Sequence, residues 1–199
     1  MRLIGITAMA DGGGSARVGK DTAAELLGKH GYVRLAFADP IYAAVQVLLG
    51  LTDAEMVQYR EHKDFHIPRW GKSLREILQE LGDWAQRAFG EDVFVQTLSR
   101  SLDKSIGWCE EGAVRPAVGF VVPDVRLEHE AAWIRDNGGM IVHMTGPRRS
   151  DAEASGKEHK TEQGVRFVPG RDVLLSNDGT LRELELKLKG VLAAAREVA

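Results

Sequence analysis

The chain has 199 residues, 44% of them hydrophobic, and carries a formal net charge of −3. This length suits one domain with a sizeable core, and the weakly acidic balance gives no reason to expect binding to polymeric nucleic acid. A single cysteine, Cys109, excludes an internal disulfide and fits a reducing compartment. The apolar run near the N-terminus is too short for a signal peptide or a membrane span. We therefore expect a cytoplasmic protein of one domain, residues 1–199, with no membrane partner.

The first elements alternate between strand and helix. The apolar run Arg2–Thr7 ends at a glycine-rich loop and is typical of a buried strand. A helix over Asp21–Lys29 and a second strand over Tyr32–Phe37 follow. Asp39 then suits a helix cap and Pro40 suits the first helical position. Helical spacing places five residues of this next helix on its core face: Ile41, Ala44, Val45, Leu48 and Leu49.

The middle of the chain carries two capping-box signals, Thr52-x-x-Glu55 and Ser73-x-x-Glu76. The second signal predicts a helix whose core face carries Leu74, Ile77, Leu78, Leu81 and Trp84. A further helix is predicted around Asp92 to Lys104.

The second half returns to alternating strands and helices. Ala117–Val122 is a fully apolar strand, Glu128–Asp136 is predicted to be helical, and Met140–Met144 is again a strand. Residues 146–170 are polar and lack periodicity, and a connection of this length is typical of a lid or of disorder. Asp172–Leu175 is the last predicted strand.

A third capping box, Thr180-x-x-Glu183, predicts the final helix. Its predicted inner residues are Leu181, Leu184, Leu188, Val191 and Leu192. Strands that are apolar throughout and separated by helices indicate a parallel sheet covered on both faces. The sequence therefore predicts an α/β fold.

The stretch GGGSARVGKDT, residues 12–22, matches most of the phosphate-binding pattern G-x-x-x-x-G-K-[ST]. Glycines let backbone N–H groups turn towards an anion, the following helix directs its positive end at that anion, and Lys20 would neutralise phosphate charge. The loop follows a strand and opens a helix, which favours a nucleotide site over a plain glycine-rich turn. The predicted ATP-binding residues are Gly14, Ser15, Ala16, Arg17, Val18, Gly19, Lys20, Asp21 and Thr22.

Asp21 stands where the pattern requires Ser or Thr. Asp21 could hold Mg²⁺ through water, because Mg²⁺ keeps several waters and accepts carboxylates. Thr22 could supply the hydroxyl instead, and Asp21 could simply favour the N-terminus of the helix. The sequence leaves these alternatives open.

Six segments occur in the order found in phage deoxynucleoside monophosphate (dNMP) kinases. They are GKDTAAELL, GYVRLAFADPI, SLREILQELG, DVRLEHEAAWIR, HKTEQG and NDGT. From Leu3 to about Leu184 the chain thus resembles this family of the P-loop nucleoside monophosphate kinase superfamily, in which GKDT is the usual form of the loop.

The resemblance implies a P-loop three-layer α/β/α fold with a mostly parallel sheet, an acceptor-binding helical region at about 40–105 and a lid at about 146–170. It implies ATP-dependent phosphorylation of dNMPs to diphosphates with Mg²⁺, by in-line transfer. The expected setting is the cytoplasm, of the host cell if the gene belongs to a phage. Small nucleotides are the expected partners, and a homodimer is the assembly that the resemblance suggests.

The resemblance also implies a set of residues that bind the acceptor dNMP: Asp39, Arg75, Gln79, Arg87, Arg126 and Glu128. Arg75 and Gln79 lie four residues apart and share a helix face, where Arg can hold a phosphate and Gln a base edge. A solvated polar face is the alternative for both residues. Asp39 could equally act as a helix cap alone.

Arg126 and three further residues are expected to serve the donor site or the transfer itself. Asp124 could orient metal-bound water, and Arg126 could contact the transferring phosphate. A surface salt-bridge cluster is the alternative for both. Arg148, in the predicted lid, could stabilise transition-state charge. Asn177 could contact the donor adenine, although Asn-Asp-Gly is also an ordinary turn.

Two other functions are compatible with these motifs. One is a P-loop kinase of another small phosphorylated acceptor, such as a coenzyme precursor or phosphomevalonate. The other is a nucleotide-binding module that transfers no phosphate. The basic residues of the predicted lid favour a kinase over such a module.

Overall fold

The structure is a computed structural model, and it describes residues 2–9, 18–110, 117–146 and 165–197. The chain divides into two compact units. The sheet unit comprises Met1–Ala36 and Arg100–Ala199, and the helical unit comprises Phe37–Ser99. The bounds of the helical unit lie close to those of the acceptor region predicted from the sequence.

The described residues form seven strands and seven helices. The strands are β1 (Leu3–Ala8), β2 (Tyr32–Arg34), β3 (His66–Ile67), β4 (Lys72–Ser73), β5 (Gly119–Val122), β6 (Met140–Thr145) and β7 (Val173–Ser176). The helices are α1 (Lys20–Lys29), α2 (Asp39–Leu49), α3 (Asp53–Glu61), α4 (Leu74–Phe89), α5 (Val93–Glu110), α6 (Glu128–Asp136) and α7 (Leu181–Glu197). No helix in these ranges is both long enough and apolar enough to span a membrane.

The sheet unit contains a five-stranded sheet of order β2-β5-β1-β6-β7. Every neighbouring pair is parallel, with Gly5 opposite Val122 and Ala8 opposite Met144 in the register of the central strand. Each strand therefore ends at the same edge of the sheet. The predicted α/β fold with a parallel sheet is confirmed.

Both faces of this sheet are covered by apolar side chains. On one face, Ile4 and Ile6 of β1 pack in a core with residues of α1 and α7, among them Leu27 and Leu188. On the other face, a side chain on Gly5 would collide with Ile134 of α6. Burial on both faces explains why the inner strands β5, β1 and β6 are mostly apolar instead of alternating.

The helical unit has its own small core and a two-stranded hairpin, β3-β4. Val45 of α2, Met56 of α3 and Leu74 of α4 are buried together. The N-terminal ends of α3 and α4 carry the two predicted capping boxes, on Thr52 and Ser73.

Several expectations about individual elements are wrong. The strand predicted over Tyr32–Phe37 ends at Arg34, and α2 begins at Asp39, with Ala38 as its N-cap instead of Asp39. Three residues assigned to core faces are exposed: Leu48, Trp84 and Leu181. Each lies on the correct stripe of its helix, but helical spacing does not reveal how far the covering neighbours extend along that stripe.

Candidate functional site

The carboxyl edge of the five-stranded sheet collects most of the chemistry-bearing residues of the sheet unit. Chain segments that leave β1, β5, β6 and β7 at this edge lead to Gly19, Asp124, Gly146 and Asn177 respectively. Ligands of open parallel sheets bind beyond the carboxyl ends of the strands. The candidate site therefore lies at the edge of the sheet where parallel sheets bind their ligands.

The end of the glycine-rich loop has the geometry that the sequence predicts. Gly19 is the N-cap of α1, with φ 90° and ψ 26°, a left-handed conformation that favours glycine. Its carbonyl accepts the helical hydrogen bond from Ala23 N–H at 2.9 Å. Lys20 and Thr22 are half-buried and Asp21 is exposed in the first turn. A lysine and the backbone N–H groups at a helix N-terminus are suited to bind phosphate.

Asn177 contacts this loop directly. Its Nδ2 donates a hydrogen bond to the carbonyl of Val18 at 2.8 Å, across 159 positions of sequence. A Cβ on Gly19 would lie 2.5 Å from the same nitrogen, so the amide packs against the Gly19 backbone. The side chain thus packs against the end of the glycine-rich loop, and its predicted contact with the donor adenine stays a prediction.

Asp124 and Arg126 follow β5 in a tight turn that a buried carboxylate holds. Glu130 Oε2 accepts from Arg126 N–H at 2.8 Å and from Leu127 N–H at 3.0 Å. Burial raises the pKa of Glu130 to about 7, and the charge of Asp124 adds to this rise against those two hydrogen bonds. Arg126 is exposed and Asp124 is half-buried. Glu130 was not predicted from the sequence. Its position three residues after the N-cap of α6 matches half of a capping box, but the N-cap residue is Leu127 instead of Ser or Thr.

Glu128 contacts Arg135 of its own helix and Arg166 near the end of the predicted lid. Its Oε1 accepts from Arg135 Nη1 at 3.1 Å, and its Oε2 accepts from Arg166 N–H at 2.9 Å. The side chain is still about half exposed. Its predicted contact with the acceptor stays a prediction.

In the helical unit, Arg75 is half-buried at the start of α4. Its Nε and Nη2 donate to the two carboxylate oxygens of Asp64 at 2.5 and 3.1 Å. Gln79 and Arg87 are exposed on the same helix. Asp39, at the N-terminus of α2, is half-buried. All four of these predicted acceptor residues thus lie within one unit.

A cationic cluster beside Arg75 was not predicted. The Arg60 guanidinium lies 4.0 Å from the ring centre of Tyr42, and Lys63 Nζ lies 5.5 Å from it. The carbonyl of Lys63 accepts from Arg75 N–H. Arginine on an aromatic face is a stable arrangement, and the cluster brings positive charge to the predicted acceptor region. Its members are separated in sequence, so no local motif reveals it.

Some predicted site residues fall outside the described ranges. They are Gly14, Ser15, Ala16 and Arg17 of the glycine-rich loop and Arg148 of the predicted lid. Among the residues that the structure describes, no three His, Cys, Asp or Glu side chains are grouped so that they could hold a metal ion.

Comparison with known proteins decides the family. The family model described as deoxynucleotide monophosphate kinase matches residues 43–188, most of the chain. The chain belongs to the deoxynucleotide monophosphate kinase family. The predicted family, enzyme class and reaction are confirmed: the enzyme is a kinase that phosphorylates dNMPs.

Individual relatives agree with the family model. A protein of Acanthamoeba polyphaga mimivirus, whose name assigns it provisionally to the same kinase activity, is 30% identical over 174 residues, which is 83% of this chain and 86% of that protein. The deoxynucleotide monophosphate kinase of Escherichia phage RB69 is 32% identical over 61% of this chain and 50% of its own length. That of Enterobacteria phage T4 is 36% identical over 37% of this chain and 28% of its own length. The matches therefore span half or less of the two phage enzymes.

Proposed function

We propose that this dNMP kinase takes the γ-phosphoryl group from ATP, with Mg²⁺, and binds the donor at the glycine-rich loop ahead of α1. The observation that carries the proposal is the left-handed Gly19 at the N-terminus of α1, directly before Lys20 and at the carboxyl edge of the central strand. Backbone N–H groups and the positive end of the helix suit the β- and γ-phosphates. Lys20 would neutralise their charge.

The residues at this edge fit Mg²⁺ as well as ATP. Asp21 or Thr22, together with Asp124 through water, would hold the ion. Mg²⁺ is normally bound by one or two carboxylates plus waters and substrate phosphates, so a protein cage of three ligands is not required. When bound, the ion neutralises charge between the β- and γ-phosphates.

We assign the acceptor to Asp39, Arg75, Gln79 and Arg87, which all lie in the helical unit. Arg126 and Glu128 stay acceptor residues predicted from the sequence. Arg75 already donates two hydrogen bonds to the carboxylate of Asp64. A planar guanidinium that holds a carboxylate in this way can hold a phosphate in the same way. The acceptor phosphate would therefore compete with Asp64 for Arg75.

The chemistry places few demands on proton transfer. The acceptor phosphate is already ionised, so its oxygen can attack in line without a strong general base. Catalysis then consists of positioning and of charge stabilisation by Lys20, Arg126 and Arg148. We further propose that the enzyme acts in the cytoplasm on free nucleotides, and that it forms a homodimer.

The test is turnover of Lys20→Ala with each of the four dNMPs, measured as ADP release in the presence of ATP and Mg²⁺. We expect a loss of at least about a hundredfold, the usual effect of removing one group that stabilises transition-state charge. Lys29→Ala is the matched control, since Lys29 is exposed in the last turn of the same helix. It should keep wild-type turnover.

Two outcomes would contradict the proposal. Near-normal turnover of a folded Lys20→Ala protein would remove the donor site from this loop. Wild-type protein that forms no ADP above the ATP-only background with any dNMP would reject the acceptor class.

A further inference from the structure

Asn177 stands at a junction of three chain segments, all in the sheet unit. It follows β7 directly, and its backbone N–H donates to the carbonyl of Thr145, the last residue of β6, at 2.7 Å. A Cβ on Gly146 would lie 2.7 Å from the Asn177 carbonyl oxygen, so the two backbones touch. The backbone of Asn177 is thus held at the edge of the sheet independently of its side-chain contacts.

The side chain of Asn177 contacts the end of the glycine-rich loop. Nδ2 donates to Val18 O at 2.8 Å, and the same nitrogen occupies the space that a Cβ on Gly19 would require. The orientation of the amide is unambiguous, since its other atom, Oδ1, would repel the Val18 carbonyl. Val18 is buried, so its carbonyl loses solvation and requires a donor.

The Val18 carbonyl belongs to the peptide that joins Val18 to Gly19. Its direction sets the left-handed conformation of Gly19, which in turn sets where the first N–H groups of α1 and Lys20 point. Removing the Asn177 amide leaves a buried carbonyl without a donor and frees this peptide to rotate. The loss would fall on the groups that meet the donor phosphates.

We propose that Asn177 is a positioning residue for the donor phosphates, which acts through the Val18–Gly19 peptide and not through the donor base. The inference rests on the proposed ATP site at this loop. It differs from a base contact in one measurable way. A base contact changes the affinity for nucleotides only, whereas a loop-positioning residue changes the affinity for any polyphosphate.

The experiment compares the binding of ATP and of inorganic tripolyphosphate, which has no base or sugar, by calorimetry on the full chain. In Asn177→Ala both affinities should fall by a similar factor, about tenfold for a lost hydrogen bond to a buried carbonyl. Asn177→Asp keeps the shape but replaces the donor with an acceptor that repels the Val18 carbonyl, and it should lose more. The ratio of the two affinities should stay at its wild-type value in both variants.

Asn137→Ala is the matched control. Asn137 Nδ2 also donates to a backbone carbonyl at 2.8 Å, that of Trp133, but at the C-terminal end of α6. This variant loses the same kind of hydrogen bond away from the phosphate loop, and its binding of both ligands should match the wild type.

The outcomes separate the inference from the proposed function. If wild-type protein binds neither ligand, the donor site itself fails, and the inference fails with it. If wild-type protein binds both and Asn177→Ala weakens ATP alone, Asn177 contacts the base and the inference is overturned. Unchanged binding of both ligands in the variants would also overturn it. Failure of both variants to fold would mark Asn177 as a residue of the fold alone.

Discussion

At the scale of single residues, Glu130 has the least expected environment. Glu130 is only 6% exposed, and its Oε2 accepts hydrogen bonds from the backbone N–H groups of Arg126 and Leu127. Two hydrogen bonds favour the charged form, but burial outweighs them and raises the pKa to about 7. The turn that carries Arg126 is therefore held by a carboxyl group that is partly protonated at neutral pH.

This raised pKa predicts a pH dependence of stability with a definite sign. The ordinary pKa is 4.5 and the folded value is about 7, so between these values the folded state holds more protons than the unfolded state. The stability that Glu130 contributes is complete below pH 4.5 and is lost as pH rises through 7, by roughly 3 kcal/mol in all. Glu130→Gln cannot ionise, so its free energy of unfolding relative to wild type should increase between pH 5 and pH 8.

Urea unfolding at several pH values, in the presence of a chelator, measures this difference. Glu25→Gln, an exposed carboxylate on α1, is the control and should follow the wild-type pH curve. Parallel curves for Glu130→Gln and wild type would show that Glu130 has no raised pKa in the folded protein.

At the scale of elements, local signals were predicted well where a few neighbouring residues determine the outcome. The capping boxes on Thr52, Ser73 and Thr180 all form, because each needs only side chains three residues apart. The hairpin β3-β4 was missed, since strands of two residues show no alternation and Pro68 lies in its loop. The contact of Asn177 with Val18 was missed for the opposite reason: it joins residues that only the folded sheet brings together.

The capping box of α4 permits a prediction for the helical unit. Ser73 is buried, its Oγ accepts from Glu76 N–H, and Glu76 Oε2 accepts from the Ser73 N–H and hydroxyl. Ser73→Ala removes one partner of the box and should lower the free energy of unfolding by about 1 kcal/mol. Urea denaturation followed by circular dichroism measures the loss.

Ser105→Ala is the control for this change. The Ser105 hydroxyl donates to the Ser101 carbonyl within α5, where alanine is the better helix former. Its stability should stay within about 0.5 kcal/mol of wild type. An equal loss in the two variants would mean that the Ser73 cap makes no specific contribution.

At the scale of the whole molecule, the parallel sheet was predictable but its strand order was not. The inner strands β5, β1 and β6 are buried almost throughout, so their apolar patterns do not tell one neighbour from another. The order β2-β5-β1-β6-β7 places β7 beside β6 although residues 146–172 separate them. Closing so long a connection costs chain entropy, which contacts near its ends must offset.

A buried ion pair lies at the end of that connection. Asp172, one residue before β7, accepts from Arg135 Nε and Nη2 of α6 at 3.1 and 2.7 Å. Its Oδ2 also accepts from Val168 N–H at 2.8 Å and lies 3.1 Å from Nε2 of the buried His143 on β6. Burial raises the pKa of Asp172, but the hydrogen bonds from Arg135, Val168 and His143 outweigh it and hold the pKa below 3.8. Burial in turn lowers the pKa of His143, which favours the neutral ring; with its proton on Nε2, that ring donates to Asp172.

Asp172→Ala should therefore lower the free energy of unfolding by about 3–5 kcal/mol. The reason is that the buried guanidinium of Arg135 loses the carboxylate to which its Nε and Nη2 donate. Arg135→Met in the same background removes that stranded charge, so the double variant should lose less than the sum of the two single variants. A double-mutant cycle in urea at pH 7 measures this coupling. The coupling should vanish as pH falls through the lowered pKa of Asp172, since a group with a depressed folded pKa stabilises only above it.

Asp178→Ala, which breaks the exposed pair with Lys187, is the control and should change stability little. Strict additivity of Asp172→Ala and Arg135→Met at pH 7 would show that β7 is held in place by its strand pairing and apolar contacts alone.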